Sequence, residues 1–212
     1  MVSTGSTDGP RVFLASRNHK KLDEMRRILA AHLADIAVLG LDDVPAYDEP
    51  VEDQPTFEGN ALLKARAGLA ATGLPSVADD SGLCVDALNG MPGVLSARWS
   101  GPTQDDGRNN RLLLDQLQDV PDERRGAHFA CAVAFCAPGL DELVVQGRMD
   151  GRVLRETRGT GGFGYDVLFC ADEFPDRTTA ELDPADKDAI SHRGRALRAI
   201  APQISTRLSR ES

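Results

Sequence analysis

Residues 76–97 read SVADDSGLCVDALNGMPGVLSA, and the rest of the chain is organised around them. The stretch starts with a short apolar run, which predicts the end of a buried strand. Asp79 and Asp80 follow side by side, and Ser81-Gly82 after them favours a turn. Ligands of open α/β sheets bind at the carboxyl ends of strands. Two neighbouring carboxylates repel unless a proton or cation lies between them, and oxygen ligands suit a hard ion such as Mg²⁺. The pattern predicts a strand end with a metal site; a turn with two solvated carboxylates is the plainer alternative.

The size and charge of the chain limit its class. It has 212 residues, a net charge of −9 and 41% hydrophobic residues. This length suits one domain, or two lobes around one cleft. We expect residues 1–10 to be a disordered start, residues 11–205 to form the domain, and residues 206–212 to be a tail. An acidic chain without a basic face is not expected to bind nucleic acid.

The cysteines and the hydropathy pattern predict a cytoplasmic protein. The four cysteines form no C-x-x-C pair, and no histidine cluster accompanies them. Buried thiols in a reducing compartment are the simplest interpretation. No segment approaches the roughly 20 apolar residues of a membrane span, and residues 1–10 lack the features of a signal peptide. We therefore expect no membrane partner.

Apolar spacing along the chain predicts alternating strands and helices, which is typical of the α/β class. Thr56 and Gly73 bracket one helix as N-cap and C-cap, and Asp183 and Ser191 cap two later helices. The predicted strands are residues 11–15, 36–41, 83–88, 128–137, 142–149 and 166–170, and the predicted helices are residues 19–33, 57–72, 105–117, the segment from 184, and 192–204.

Two loops have features of an anion or nucleotide site. The turn at residues 16–18 precedes a helix whose first turn carries Lys20 and Lys21, where the helix dipole disfavours cations. This placement suggests an anionic ligand, although surface lysines on a solvated face are the plainer alternative. Residues 158–165, RGTGGFGY, form a glycine-rich loop that lacks the Walker A pattern.

The unusual groups together indicate a metal-dependent enzyme that acts on a nucleoside polyphosphate. Acids that hold a metal and cations from distant segments can clamp a polyphosphate. An aromatic residue in a glycine loop suits stacking on a base. The acids are Glu52, Asp79 and Asp80, the cations are Lys21, Lys64, Lys187, His192 and Arg193, and the aromatics are Phe163 and Tyr165.

Six blocks in order resemble the inosine triphosphate pyrophosphatase family, the noncanonical purine nucleoside triphosphate pyrophosphatases. Two positions depart from the family pattern: Ser16 replaces Thr and keeps the hydroxyl, and Gly59 replaces Glu. The blocks are Ser16-x-Asn18-x-x-Lys21 with Glu24, Thr56-Phe57-x-x-Asn60-Ala61-x-x-Lys64-Ala65, Ala78-Asp79-Asp80-Ser81-Gly82-Leu83, Pro92-Gly93-Val94-x-Ser96-Ala97-Arg98, Gly161-Gly162-Phe163-Gly164-Tyr165-Asp166, and Ser191-His192-Arg193-Gly194.

The resemblance implies a fold, an assembly and a reaction. It implies an elongated α/β protein with a long mixed sheet and flanking helices that form two lobes around a central cleft. It implies a homodimer that uses Mg²⁺. The implied substrates are ITP, dITP and XTP, cleaved to the monophosphate and pyrophosphate, and the implied role is to remove deaminated purines from the nucleotide pool.

The resemblance also suggests roles for particular residues. Asp80 is the candidate general base, and the candidate metal ligands are Glu52, Asp80 and Asp79, with Glu49 and Asp53 as alternatives to Glu52. Donors at His192, Arg193 and Lys187 would favour a purine with a carbonyl at position 6. The candidate substrate-binding residues are Ser16, Arg17, Asn18, His19, Lys20, Lys21, Lys64, Ser81, Phe163, Gly164, Tyr165, Asp166, Lys187, His192 and Arg193.

Three alternative functions remain at this point. A Maf-like nucleotide pyrophosphatase would act on other bases, and the His192-Arg193 pair disfavours it. A phosphatase with Asp79 as nucleophile would require a D-x-D-x-T pattern, whereas the two aspartates here are adjacent. A non-catalytic nucleotide sensor would bind ITP without releasing pyrophosphate.

Overall fold

The computed structural model describes residues 10–32 and 36–209. Within these residues the strands form one mixed sheet in the order β2-β1-β3-β4-β5-β6. β1 pairs in parallel with β2 and β3, and the remaining pairs are antiparallel. The strands are β1 Arg11–Leu14, β2 Ala37–Leu39, β3 Ser76–Val85, β4 Gly126–Cys136, β5 Leu143–Val153 and β6 Phe169–Ala171, and the helices are α1 His19–Ala30, α2 Phe57–Thr72, α3 Asp106–Gln116, α4 Pro184–Ile190 and α5 His192–Leu208.

Helices cover both faces of the sheet, as the predicted α/β class requires. α1 and α5 pack on one face, where Met25 and Ile200 meet Val77 and Val133 in one core cluster. α2 packs on the other face through small residues such as Ala61. Because these side chains are small, α2 lies close to the sheet. A further core cluster, with α3 above it, fills the other end of the sheet.

The central strand corrects the first expectation. β3 does not end at Asp79 and Asp80 but continues to Val85, so the separate strand predicted at residues 83–88 is wrong. β4 pairs with β3 along its whole length and keeps it extended. β1 pairs only with the first two residues of β3 and ends at Leu14. The two carboxylates therefore lie beyond the carboxyl end of β1, in the middle of β3.

Turn chemistry explains the wrong prediction, since Asp, Ser and Gly favour turns in short segments. Gly82 serves close packing instead, because a Cβ there would lie 2.3 Å from the carbonyl oxygen of Gly93. The strand predicted at residues 166–170 is also displaced, and β6 is Phe169–Ala171.

The predicted helix caps are confirmed. Thr56 accepts the N–H of Gly59, and Gly73 ends α2 in the left-handed conformation with φ of 69°. The side chains of Asp183 and Ser191 cap α4 and α5. α5 continues to Leu208, beyond the predicted end of the helix at residue 204 and into the segment expected to be a tail. The expectations for residues 1–9, 33–35 and 210–212 lie outside the described residues.

The four cysteines are free and buried, as predicted. Cys131 and Cys136 lie on β4 and belong to the packed interior of the sheet. Across the part of the chain that the structure describes, no helix has both the length and the apolar character needed to cross a bilayer.

Candidate active site

A cleft of about 390 Å³ opens where β1 ends and β3 continues. It gathers most of the residues predicted for substrate and metal, which come from both faces of the sheet. His19, Lys20 and Asp79 are the predicted site residues that do not line it. The predicted residues that line it are Ser16, Arg17, Asn18, Lys21, Glu52, Lys64, Asp80, Ser81, Phe163, Gly164, Tyr165, Asp166, Lys187, His192 and Arg193.

Asp80 faces the cleft from the α2 side of the sheet. Its Oδ2 accepts a hydrogen bond of 3.0 Å from the Nδ2 of Asn60, and its Oδ1 accepts one of 3.0 Å from the N–H of Ser81. Burial raises the pKa of the Asp80 carboxyl, and the charge of Glu52 raises it further, while Lys64 acts in the opposite direction. Asp80 is thus a carboxylate with increased proton affinity, which suits a general base.

Glu52 and Asp80 share one cationic partner. The Nζ of Lys64 lies 2.6 Å from Glu52 Oε1 and 3.7 Å from Asp80 Oδ1. Burial alone would raise the pKa of Glu52, but the charge and hydrogen bond of Lys64 outweigh it and lower the pKa. Burial would likewise lower the pKa of Lys64, but Asp79, Asp80 and Glu52 together raise it. The carboxylates of Glu52 and Asp80 are therefore close enough for a single cation to contact both.

This donor set fits a hard divalent cation. Two carboxylates from separate segments can supply two oxygen ligands, and Mg²⁺ usually takes one or two carboxylates beside waters and phosphate oxygens. Residues 10–32 and 36–209 contain no preformed cluster of three or more acidic, histidine or cysteine ligands. Glu49 also lines the cleft but pairs with Arg17 at 3.3 Å, whereas Asp53 accepts a bond from Gln54. Glu52 is therefore the acid of the 49–53 segment placed to act with Asp80.

Asp79 lies on the opposite face and is 1% exposed. Its Oδ2 accepts from the Nε of Arg193 at 3.0 Å and lies 3.3 Å from the Nζ of Lys21. Burial would raise the pKa of Asp79, but Lys21 and Arg193 outweigh it and hold the pKa far below its usual range. An oxygen already shared by two cations, out of the cleft lining, suits a structural anchor better than the metal role predicted for Asp79.

Arg193 is the centre of this buried network. Its side chain is 2% exposed and its Nη1 lies 2.5 Å from Glu24 Oε2. Its Nη2 donates to the Oγ of Ser81 at 2.8 Å. Burial would lower the pKa of the guanidinium, but Glu24 and Asp79 raise it. The network fixes the start of α5 against α1 and β3.

Phe163, Asp166 and Lys187 form a part of the cleft lining that could take a planar ring. Asp166 Oδ2 accepts from the N–H of Phe163 at 2.8 Å and from Lys187 Nζ at 2.5 Å. Lys187 and Arg193 lie 5.1 and 5.7 Å from the centre of the Phe163 ring. A cation-lined aromatic face of this kind can stack on a base and donate hydrogen bonds to its edge.

His192 is a neutral donor or acceptor in this cleft. Burial lowers its pKa well below the ordinary value, and Arg193 and Lys187 lower it further. Its ring stacks on Phe129 with centroids 4.9 Å apart. The Nδ1 atom is buried and has no hydrogen-bond partner among the described residues. Tyr165, in contrast, uses its hydroxyl to donate to the carbonyl of Ser96 at 2.9 Å.

The first loop supplies the start of α1 to the cleft. Asn18 caps the helix by accepting the N–H of Lys21 at 3.2 Å. Lys20 reaches across to the carbonyl of Gly162 at 3.4 Å. Arg17 donates to the carbonyl of Tyr47 at 3.1 Å, which connects this loop to residues 44–56, the segment that carries Glu49 and Glu52. The start of α1 thus lies at the cleft, and the anion site predicted there stays a prediction.

Sequence reasoning missed four residues that shape the cleft. Three of them, Glu24, Asn60 and Arg98, belong to the motif blocks, but the motifs do not predict their contacts. Arg98 holds Glu52, and Asp106 accepts the N–H of Gly164 at 2.8 Å. For Asn60 a signal existed, because it stands one helical turn before Lys64 on α2 and next to Ala61, at a position that helical spacing turns towards the core.

Comparisons with known proteins agree with this geometry. Residues 12–203 match the model of the Ham1 family. A dITP/XTP pyrophosphatase of Nocardia farcinica is 63% identical over 196 residues, which cover 92% of this chain and 95% of that protein.

Solved structures show the same similarity. The structure of the nucleoside-triphosphatase / dITP/XTP pyrophosphatase of Mycobacterium abscessus is 54% identical, with a TM-score of 0.73, covering 91% of this chain and 99% of that one. The Ham1 protein of Staphylococcus aureus is 34% identical, with a TM-score of 0.81 over 93% of this chain and 99% of that one.

Proposed function

This chain belongs to the Ham1 family, and on that premise we propose that it hydrolyses deaminated purine nucleoside triphosphates to the monophosphate and pyrophosphate. The substrates are ITP, dITP and XTP. The observation that carries the proposal is the cleft itself, which is lined both by the acids Glu52 and Asp80 and by the cation-lined aromatic ring of Phe163. The Maf-like alternative is not favoured, since the similar proteins are dITP/XTP pyrophosphatases.

The reaction is a displacement at the α phosphorus. Water attacks this atom, the bond to the bridging oxygen breaks, and pyrophosphate leaves. Asp80 takes the proton of the attacking water, and its raised pKa supports this role. Lys64 and Lys21 stabilise the phosphate charge, with Ser81 and the N–H groups at the start of α1 as further donors.

Glu52 and Asp80 are the residues that would hold Mg²⁺. When bound, the ion would neutralise phosphate charge and lower the pKa of water. Asp79 holds Lys21 and Arg193 in place on the other face of β3, so its contribution to catalysis is indirect.

Base selection follows from the donors in the cleft. Hypoxanthine and xanthine carry a carbonyl at position 6, where adenine carries an amino group. Arg193 and Lys187 are donors only, and both line the cleft beside His192. A carbonyl can accept from such donors, whereas the amino group of adenine would meet them donor against donor, which is a basis for rejection.

We propose a cytoplasmic homodimer as the working form. The homodimer rests on the family resemblance. The location is supported by four free, buried thiols, which suit a reducing compartment. Light scattering on the purified protein tests the dimer directly.

A panel of natural and deaminated nucleoside triphosphates, assayed with Mg²⁺, tests the proposed reaction. ITP, dITP and XTP should give the monophosphate and pyrophosphate, with little reaction of ATP or GTP. Release of IDP and inorganic phosphate as main products would point to a phosphatase instead. Full turnover in excess EDTA would rule out the Mg²⁺ requirement.

A further inference from the structure

Asn60 is a buried polar residue in direct contact with Asp80. It lies in the first turn of α2 and is 0% exposed. Its Nδ2 donates to Asp80 Oδ2 at 3.0 Å and to the carbonyl of Gln54 at 3.4 Å, and its Oδ1 accepts the N–H of Gln54 at 3.0 Å. One side chain thus joins β3 to the segment that carries Glu52.

Glu52 needs such support because its surroundings are irregular. Residues 44–56 contain neither helix nor strand. Arg98 provides a second hold, since its Nη2 donates to the main-chain carbonyl of Glu52 at 3.0 Å. The Nη1 of Arg98 lies 3.9 Å from Glu52 Oε2, a much looser contact. Arg98 therefore restrains the backbone of Glu52 without closely binding its carboxylate, whose Oε1 is held by Lys64.

Both holds connect Glu52 to the strand that carries Asp80, Asn60 by a direct bond to Asp80 and Arg98 through a segment packed on β3. Arg98 ends a short 3₁₀ segment, Gly93–Arg98, that packs on β3. Within it, the Oγ of Ser96 accepts the N–H of Leu83 at 2.9 Å. The 3₁₀ segment packs so closely on β3 that no side chain larger than that of glycine fits at position 82. The path from Asp80 to Glu52 through Arg98 is therefore short and tightly packed.

We propose that Asn60 and Arg98 are positioning residues that fix Glu52 relative to Asp80, so that the two carboxylates can bind one divalent cation together. This inference rests on the proposed function and adds residues that do not touch the reacting atoms. Partners that orient metal ligands commonly account for 10- to 100-fold in metal affinity. A restrained pair also avoids the entropy cost of ordering an irregular segment when the cation binds.

The test uses two variants and a matched control. Arg98→Gln removes the hold on Glu52, and the fold should tolerate it because the Arg98 side chain is 36% exposed. Asn60→Leu removes all three bonds of Asn60 at similar volume. Arg66→Gln is the control, because Arg66 also lies on α2 but pairs with Glu142 and does not line the cleft. The conservative variant Arg98→Lys keeps one donor and should restore part of the effect.

Mn²⁺ binding is measured by electron paramagnetic resonance, with and without the non-hydrolysable inosine α,β-methylene triphosphate. The Mg²⁺ dependence of ITP turnover and the melting temperature are measured beside it. We expect Arg98→Gln and Asn60→Leu to weaken Mn²⁺ binding about 10- to 100-fold and to raise the half-saturating Mg²⁺ concentration by a similar factor. Turnover at saturating Mg²⁺ should fall far less, and Arg66→Gln should match the wild type.

The positioning role of Asn60 and Arg98 can be overturned in two ways. Lower stability with unchanged Mn²⁺ affinity would assign both residues a purely structural role and overturn it. Absence of Mn²⁺ binding to the wild type in both conditions would overturn it too. If Asn60→Leu fails to fold, Arg98→Gln still decides. Failure of the proposed function is distinct, since the wild type would then release no pyrophosphate from ITP whatever its Mn²⁺ affinity.

Discussion

Asp79 and Asp80 are neighbours in the sequence, yet they belong to two different regions of the molecule. Successive side chains of a strand point to opposite faces. Asp79 meets α1 and α5 through Lys21 and Arg193, whereas Asp80 meets α2 through Asn60 and Lys64. The pKa of Asp79 is far below its usual range, and that of Asp80 is raised.

The difference between the two regions is the balance between burial and charge. Both carboxyls are buried, which raises the pKa of each. On the Asp79 side, two cations contact one oxygen and outweigh the burial. On the Asp80 side, Lys64 is shared with Glu52 and does not compensate fully. The first arrangement stabilises a fixed charge, and the second leaves a group that can take up a proton.

The largest expected effect is on turnover, in Asp80→Asn. The variant keeps the shape of the side chain but loses the base and one metal ligand. Loss of a general base typically lowers turnover about 10²- to 10⁴-fold. Steady-state pyrophosphate release from ITP measures it. Turnover near that of the wild type would move the base to another residue, with Glu52 next in line.

The same variant should fold normally. A carboxyl with a raised pKa gains nothing from its charge in the folded state, so the expected loss of unfolding free energy is that of the one hydrogen bond whose acceptor oxygen becomes an amide group, about 1–3 kcal/mol. Urea denaturation at pH 7 provides the control.

Asp79→Asn should act mainly on stability. Removing one partner of a buried ion pair costs about 3–5 kcal/mol, because the remaining charges lose their compensation. Arg193 and Lys21 would be those charges. Urea denaturation measures the loss. A loss below about 1 kcal/mol would show that the network is not a structural anchor.

At acid pH, the wild type and Asp79→Asn should differ less in their free energy of unfolding. The pKa of Asp79 is lower in the folded chain than its ordinary value of 3.8. Its contribution is therefore fully present above the unfolded-state pKa and declines as the pH falls towards the folded one. The difference in unfolding free energy should stay constant from pH 7 to about pH 5 and narrow below about pH 4. If this difference in unfolding free energy already narrowed near neutral pH, the pKa of Asp79 would not be depressed in the folded chain.

The smallest effect on stability and turnover is expected for Arg66→Gln, which breaks an ion pair at the surface. The side chains of Arg66 and Glu142 are 57% and 39% exposed, although their ion pair is as short as those inside the cleft, at 2.6 Å. Arg66→Gln should cost less than about 1 kcal/mol and leave turnover unchanged, because solvent screens exposed pairs. If Arg66→Gln lost as much stability as Asp79→Asn, burial would not explain the difference between the exposed Arg66–Glu142 pair and the buried pairs of Asp79.

The sequence predicts this molecule best where local rules decide. Thr56 and Gly73 define α2, and the motifs locate the cleft residues. Local rules fail at residues 79–82, where the turn chemistry of Asp-Asp-Ser-Gly gives way to pairing along the whole of β4. They also miss Arg98, since its contact with Glu52 spans 46 residues and depends on the packing of a 3₁₀ segment on β3.

The interpretation of Asp79 and Asp80 shows the same limit. Adjacent carboxylates suggested mutual repulsion around one cation, an inference that requires both side chains to lie on the same side. In a continuous strand they alternate, and each finds cations from a different helix. Most residues that line the cleft could be predicted from the sequence, but the face of β3 on which each aspartate lies required the fold.

Stability and turnover of Asp79→Asn and Asp80→Asn, measured together at pH 7, test the central claim most directly. We expect a crossed result. Asp80→Asn should lose at least about 100-fold in turnover with the smaller loss of unfolding free energy, about 1–3 kcal/mol, and Asp79→Asn should lose about 3–5 kcal/mol of stability while the folded fraction keeps the larger share of its turnover. Equal losses of both properties in both variants, or the reverse assignment, would contradict the division of roles between the two faces of β3.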